Sequence, residues 1–157
     1  MLSKHFTLDE FQFSEKAVRL GIHNAMEDSR LLEAAQRTCE MLEKIRVYLT
    51  VCRGREIPIK ITSGYRCPEL NRVTTGAMIS SDHMRGAAVD WQAPSFGHPR
   101  LITQFIAQNV DDLGIGQMIL EYPDDENSWI HTSTIRPMIE ANRVLVHDKD
   151  GYTPWSS

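Results

Sequence analysis

The sequence predicts a single α+β domain in which helices pack on a small antiparallel or mixed sheet. Three observations carry this. A chain of 157 residues, 41% hydrophobic and 24% charged, can bury one real core and has the composition of an ordinary globular protein. Leu31, Leu32, Ala35, Cys39, Leu42, Ile45 and Leu49 recur at helical steps, whereas several later segments are short and alternate with a period of two. No repeat or low-complexity stretch interrupts them, so the domain is expected to span residues 1–150, with 151–157 a frayed tail.

Taken in order, Thr7 and Glu10 have capping-box spacing, and Ser14 can cap a short helix that Gly21 ends. The long helix is expected from about Asp28 to Leu49. Arg53-Gly54-Arg55-Glu56 is a turn, and Ile57 to Thr62 alternates as a strand. Gly86 and the small pair Ala87-Ala88 suit a tight turn into a crowded strand ending near Trp91, with Ala88 and Asp90 on one face and Val89 on the other. Pro94 to Pro99 is a loop, and Pro99 suits the first turn of a helix running to about Asn109. Gly114 and Gly116 precede a strand at Gln117–Glu121, an acidic loop leads into a strand at Trp129, and Asn142 to His147 is the last strand.

The chemistry lies in Ser81-Asp82-His83-Met84-Arg85-Gly86-Ala87-Ala88-Val89-Asp90 and in Trp129-Ile130-His131. Each fragment alone reads more readily as a hydrogen-bonded or surface residue than as a ligand. Together they offer two imidazoles and one carboxylate. Zinc takes such nitrogen and oxygen donors at about 2.0–2.2 Å, and a catalytic site uses three of them with a fourth position open for water. Two adjacent strands could bring His83, Asp90 and His131 to one ion on the exposed face of the sheet. One Zn²⁺ and hydrolytic chemistry are therefore expected, although the same donors would accept Mn²⁺ or Co²⁺.

Composition narrows the partners. A net charge of −4 argues against a nucleic-acid binder, and no apolar run approaches the roughly 20 residues that cross a bilayer. No basic region followed by an apolar run marks a signal peptide. Cys39, Cys52 and Cys67 are odd in number and lack CxxC spacing, which points to reduced thiols and cytoplasmic synthesis. Cys67 could in principle be a nucleophile with a neighbouring histidine, but no cysteine-peptidase signature surrounds it. Oligomeric state is left open.

The two fragments resemble the S-x-H-x-x-G-x-A-x-D and W-x-H signature of the zinc D-Ala-D-Ala carboxypeptidase-like peptidases, the superfamily of the hedgehog fold and of phage cell-wall endopeptidases. Upstream, Thr62-Ser63-Gly64-Tyr65-Arg66-Cys67-Pro68-Glu69-Leu70-Asn71 is similar to the family's S-G-Y-R-x-P-x-x-N segment. Phe6 to Phe11 resembles the start of its small, phage-associated branch. The likeness runs from about residue 6 to about residue 135. It implies that the substrate is the stem peptide of bacterial peptidoglycan, cut at D-Ala-D-Ala or at L-Ala-D-Glu. Action on the wall would then follow release or delivery, as by a phage or prophage lysis enzyme. A different class is also open: a non-catalytic zinc-binding module of a phage particle or a cell-wall binding protein.

Amide hydrolysis needs a base beside the ion. Relatives carry an acid shortly before the last histidine, where this chain has Asn127 and Ser128. The segment Gln117-Met118-Ile119-Leu120-Glu121 resembles the branch's Q-L-I-x-E strand, which makes Glu121 the first candidate, with Glu126 and Asp125 behind it. The resemblance places Arg66 in the cleft, on substrate or on the oxyanion; otherwise it ties a strand end to an acid. Ser81 either touches substrate or supports the His83 loop. Tyr65 and Asn71 read as structural, His98 as an exposed loop residue, and Trp129 as a packing wall. His5, His23 and His147 belong to no constellation.

Overall fold

The helix starts lie where the capping residues put them. In a computed structural model, which describes residues 1–156, Thr7 accepts the Glu10 N–H to open α1 (Leu8–Gln12), and Ser14 accepts the Ala17 N–H to open α2 (Glu15–Leu20). Asp28 caps α3 (Ser29–Arg53), whose apolar stripe is fully buried from Ala35 to Leu49. The helix runs past Leu49 to Gly54 because its last turn, including Val51 and Cys52, is exposed and leaves no mark in the apolar period. Each buried Leu or Ile of the stripe contributes roughly 1.5–3 kcal/mol.

Strand β1 (Lys60–Ser63) is shorter than the alternation of Ile57 to Thr62 suggests. Ile57 and Ile59 are buried, but Pro58 has no N–H for a ladder, so pairing begins only at Lys60. After α4 (Pro68–Val73) and a short 3₁₀ turn at Asp82–Arg85 comes β2 (Ala88–Gln92). The next helix divides: α5 (Pro99–Ile106), a 3₁₀ turn, then α6 (Val110–Leu113). Strands β3 (Gln117–Glu121), β4 (Trp129–Ser133), β5 (Val144–Asp148) and β6 (Gly151–Pro154) complete the chain.

The last of these corrects the expected frayed tail. Gly151–Pro154 pair antiparallel with β5, Asp148 opposite Gly151 and His147 opposite Tyr152. The Asp148 carboxylate accepts the Asp150 N–H in the two-residue connection. Asp-Gly between alternating residues is a hairpin signal, and here it announces a strand instead of an end. The expected tail's final residue, 157, lies outside the described residues.

The six strands run in the order β1-β2-β4-β3-β5-β6, antiparallel throughout except for the parallel pair β3 and β5, so the sheet is mixed. One face carries Val89, Trp91, Met118 and Ile130 into a core shared with α3 and α5. Trp91 donates its indole N–H to Thr132 within that core, at 3.1 Å. The opposite face is open and holds Asp90, Ile119, Glu121 and His131. No helix among the described residues is long and apolar enough to cross a membrane.

The N-terminus is tied down by Glu43 of α3, which accepts from Ser3 Oγ and the His5 N–H and hydrogen-bonds the His5 ring, each at 2.7 Å. Burial pushes Glu43 up, but its bonds to the His5 ring, Ser3 and the His5 N–H outweigh this and hold it below the ordinary glutamate value. A depressed carboxylate stabilises the fold above its unfolded value and loses that effect as pH falls through the folded one. Glu43→Gln should therefore cost roughly 1 kcal/mol near neutrality. In urea unfolding the gap to wild type should be fully present above the ordinary glutamate value of 4.5 and should shrink as pH falls below it, through the depressed folded value. A gap independent of pH would contradict the assignment.

Candidate metal centre

The sheet register brings the site together. Asp90 of β2 pairs with His131 of β4, so both side chains leave the same face. His83 comes from the 3₁₀ turn before β2, which Ser81 caps by accepting the His83 N–H at 3.4 Å. Gly86 closes that turn at φ 67°, and a Cβ there would stand 2.8 Å from the Leu31 carbonyl of α3. Only glycine fits both the conformation and the space.

A backbone carbonyl orients the buried imidazole. His83 Nδ1 donates to Gly64 O at 2.7 Å, which leaves the Nε2 lone pair directed at the site. Gly64 can reach His83 because the chain presses against α1. A Cβ on Gly64 would lie 2.1 Å from Phe11 O, and that same oxygen accepts the Tyr65 N–H. The glycine of the S-G-Y-R segment thus orients His83 through its carbonyl.

His83 Nε2 lies 3.2 Å from His131 Nδ1 and 3.4 Å from Asp90 Oδ1, and His131 Nδ1 lies 2.9 Å from the same oxygen. Donors held at about 2.0–2.2 Å around a tetrahedral ion stand roughly 3.3–3.6 Å apart, so the trio needs adjustments of only a few tenths of an ångström to hold one. Burial pushes His83 down and favours the neutral imidazole, with Asp90 opposing the shift. Burial acts to raise Asp90, but the two imidazoles outweigh it and hold the carboxyl well below the usual range. Neutral nitrogen beside ionised oxygen is the protonation state a divalent cation requires.

These three residues stand in a cleft of about 520 Å³ whose walls include Arg66, Ser81, Glu121 and Trp129. Arg66 is largely buried, its Nη2 3.6 Å from Asp90 Oδ2 and its Nε without a hydrogen-bond partner. Burial pushes the guanidinium down, while the Asp90 and Glu121 carboxylates pull it back up. Glu121, on β3 beside β4, is 8% exposed, not the solvated strand end it could have been. Burial raises it above the ordinary glutamate value, against the hydrogen bond from His147. Asp125 and Glu126 are exposed in the turn between β3 and β4 and do not line the cleft.

His147 belongs to the site after all. It lines the cleft and bonds Glu121, a pairing that depends on β5 lying parallel beside β3 and has no local trace in the sequence. Tyr122 and Tyr152 also line it and were not singled out by any pattern. His98 caps α5 by accepting the Arg100 N–H, as an exposed loop residue would. Cys67 caps α4, its sulfur accepting the Leu70 N–H, and does not line the cleft. Asn71 donates to Met78 O and holds the loop at the cleft's edge.

A mixed sheet covered by helices on one face, with a His-Asp-His group and a buried carboxylate in a cleft on the other, defines a metallohydrolase. The comparison with known families then specifies it. Residues 4–133 match the family described as Peptidase M15, and the chain belongs to that family. It is a zinc-dependent metallopeptidase, and His83, Asp90 and His131 are the group that could hold the ion. No individual curated protein matches the chain.

Proposed function

We propose that the protein cleaves the stem peptides of bacterial peptidoglycan, with His83, Asp90 and His131 as zinc ligands, Glu121 as general base and Arg66 and Ser81 on the substrate. The observation that carries this reading is that Glu121, an acceptor, and Arg66, a donor, both line the cleft that holds the His-Asp-His group. Bound zinc supplies a water of lowered pKa and polarises the scissile carbonyl. Glu121 would accept the proton of the attacking water at its carboxylate and return it to the leaving amine. Arg66 has donors to spare, since Nε is unpartnered and the contact to Asp90 is long. It holds a substrate carboxylate or the developing oxyanion through paired hydrogen bonds. Ser81 caps the His83 turn and lines the cleft, where its hydroxyl would meet substrate.

The peptidase family supports a peptidoglycan-type substrate, and the resemblance of Phe6–Phe11 and Gln117–Glu121 to the phage-associated branch supports a role in phage or prophage lysis. A purely adhesive zinc module would have no use for a buried carboxylate lining the cleft of its metal site. Mass spectrometry of purified stem peptides incubated with zinc-loaded protein, beside a chelator-treated control, tests the assignment. A chelator-sensitive product is expected, and its mass distinguishes D-Ala-D-Ala from L-Ala-D-Glu cleavage. No product across several wall chemistries, with one zinc bound per chain, would reject it.

A further inference from the structure

The family match ends at residue 133, yet the cleft does not. Strands β5 and β6 follow that boundary, and His147 and Tyr152 both line the site. His147 sits in register with Glu121 across the parallel β3–β5 pair, so the two side chains rise from the same face. Its Nδ1 lies 2.7 Å from Glu121 Oε2. No other side chain among the described residues hydrogen-bonds that carboxylate, which leaves Oε1 without a protein partner.

The imidazole is itself fixed. Tyr152, its antiparallel partner on β6, stacks on it with ring centroids 4.0 Å apart and planes 6° from parallel. Tyr122 approaches from the turn after β3, 5.1 Å away, and donates its N–H to His147 O at 2.7 Å. Tyr122 is the one non-glycine residue at positive φ, 47°, among the described residues. Such a conformation is strained and is kept where surrounding contacts enforce it. Here it places the tyrosine ring between His147 and Trp129, whose centroid lies 5.6 Å from its own.

We propose that His147 is a positioning residue for the hydrolytic reaction: its Nδ1–H holds Oε2 of Glu121, turning Oε1 into the cleft, and the β5–β6 hairpin exists in part to hold that imidazole in place. An ionised carboxylate can only accept, so the imidazole carries its proton on Nδ1. A glutamate with three rotatable bonds and one oxygen unheld would sample orientations that miss the attacking water. The hydrogen bond removes them. The inference rests on the reading of Glu121 as the base.

The test uses the full chain with His147→Ala and His147→Asn, zinc content measured for each. Asparagine offers an N–H close to the place of imidazole Nδ1, so it can keep the contact without the ring. His147→Ala is expected to lower kcat by about 10–100-fold, the usual loss for a partner of a reacting group, with KM and zinc stoichiometry unchanged. His147→Asn should restore most of that loss, and it keeps the test valid if the alanine variant does not fold. Independently of turnover, long-range ¹H–¹⁵N spectra of the metal-free protein should show His147 protonated at Nδ1, a preference that Glu121→Ala abolishes. An unprotonated Nδ1 in the wild type, or His147→Ala at full kcat while Glu121→Gln is inactive, would overturn the inference alone. Full activity of Glu121→Gln would instead remove the base reading and this inference with it.

Discussion

Glu121→Gln is expected to lower kcat by about 10²–10⁴-fold and to leave one zinc per chain. The substitution keeps size and hydrogen-bonding capacity, so His147 can still donate to the side-chain oxygen, but the amide cannot take a proton. Glu121 contributes no atom to the His-Asp-His group, and β3 pairs with that group's strand through Ile119 opposite His131. Metal affinity and folding should therefore survive while proton transfer is lost. Zinc content by mass spectrometry, beside kcat and KM on the product-yielding stem peptide, separates these effects. A fall in zinc parallel to the fall in turnover would make Glu121 a ligand; turnover near wild type would pass the base role to another acid, and neither Asp125 nor Glu126 lines the cleft.

Much of this site is written locally. His83, Asp90 and His131 sit in fragments whose glycines and alanines already imply crowded turns and strands, and a period of two fixes which residues share a face. The Glu121 face follows the same rule. The starts of α1, α2 and α3 were legible because Thr7 and Ser14 are capping side chains and the apolar period opens just after Asp28, whereas α4 left no such pattern and the helix ends were not legible. The last turn of α3 is solvent-exposed, and the division of α5 from α6 breaks no apolar pattern.

His147 illustrates the other limit. Nothing within several residues of it signals chemistry, and its partner lies 26 positions earlier on a strand that is adjacent only through a parallel crossover. Such pairings are set by topology, which a single sequence encodes globally. Gly64 is intermediate. Its place in the S-G-Y-R segment was visible, but its use, a carbonyl fixing His83 where any Cβ would strike Phe11 O, emerges only from the packing of α1 on β1.

Asp90→Ala should abolish both turnover and zinc binding, and its effect on stability reveals why one carboxylate serves two purposes. Oδ1 faces both imidazoles while Oδ2 faces the Arg66 guanidinium at 3.6 Å. Removing the side chain would strip the His-Asp-His group of its only anionic donor and leave a largely buried cation facing two histidines. Loss of one partner of a buried pair costs about 3–5 kcal/mol, so the variant should melt well below even the metal-free wild type. Zinc in excess stabilises the wild type by mass action, about 4 kcal/mol at a thousand times its dissociation constant, and a chelator should lower its melting temperature accordingly. The same chelator should leave the Asp90→Ala melting curve in place. A shift as large as that of the wild type would mean that zinc binds elsewhere, and Asp90 would then be no more than the counter-ion of Arg66.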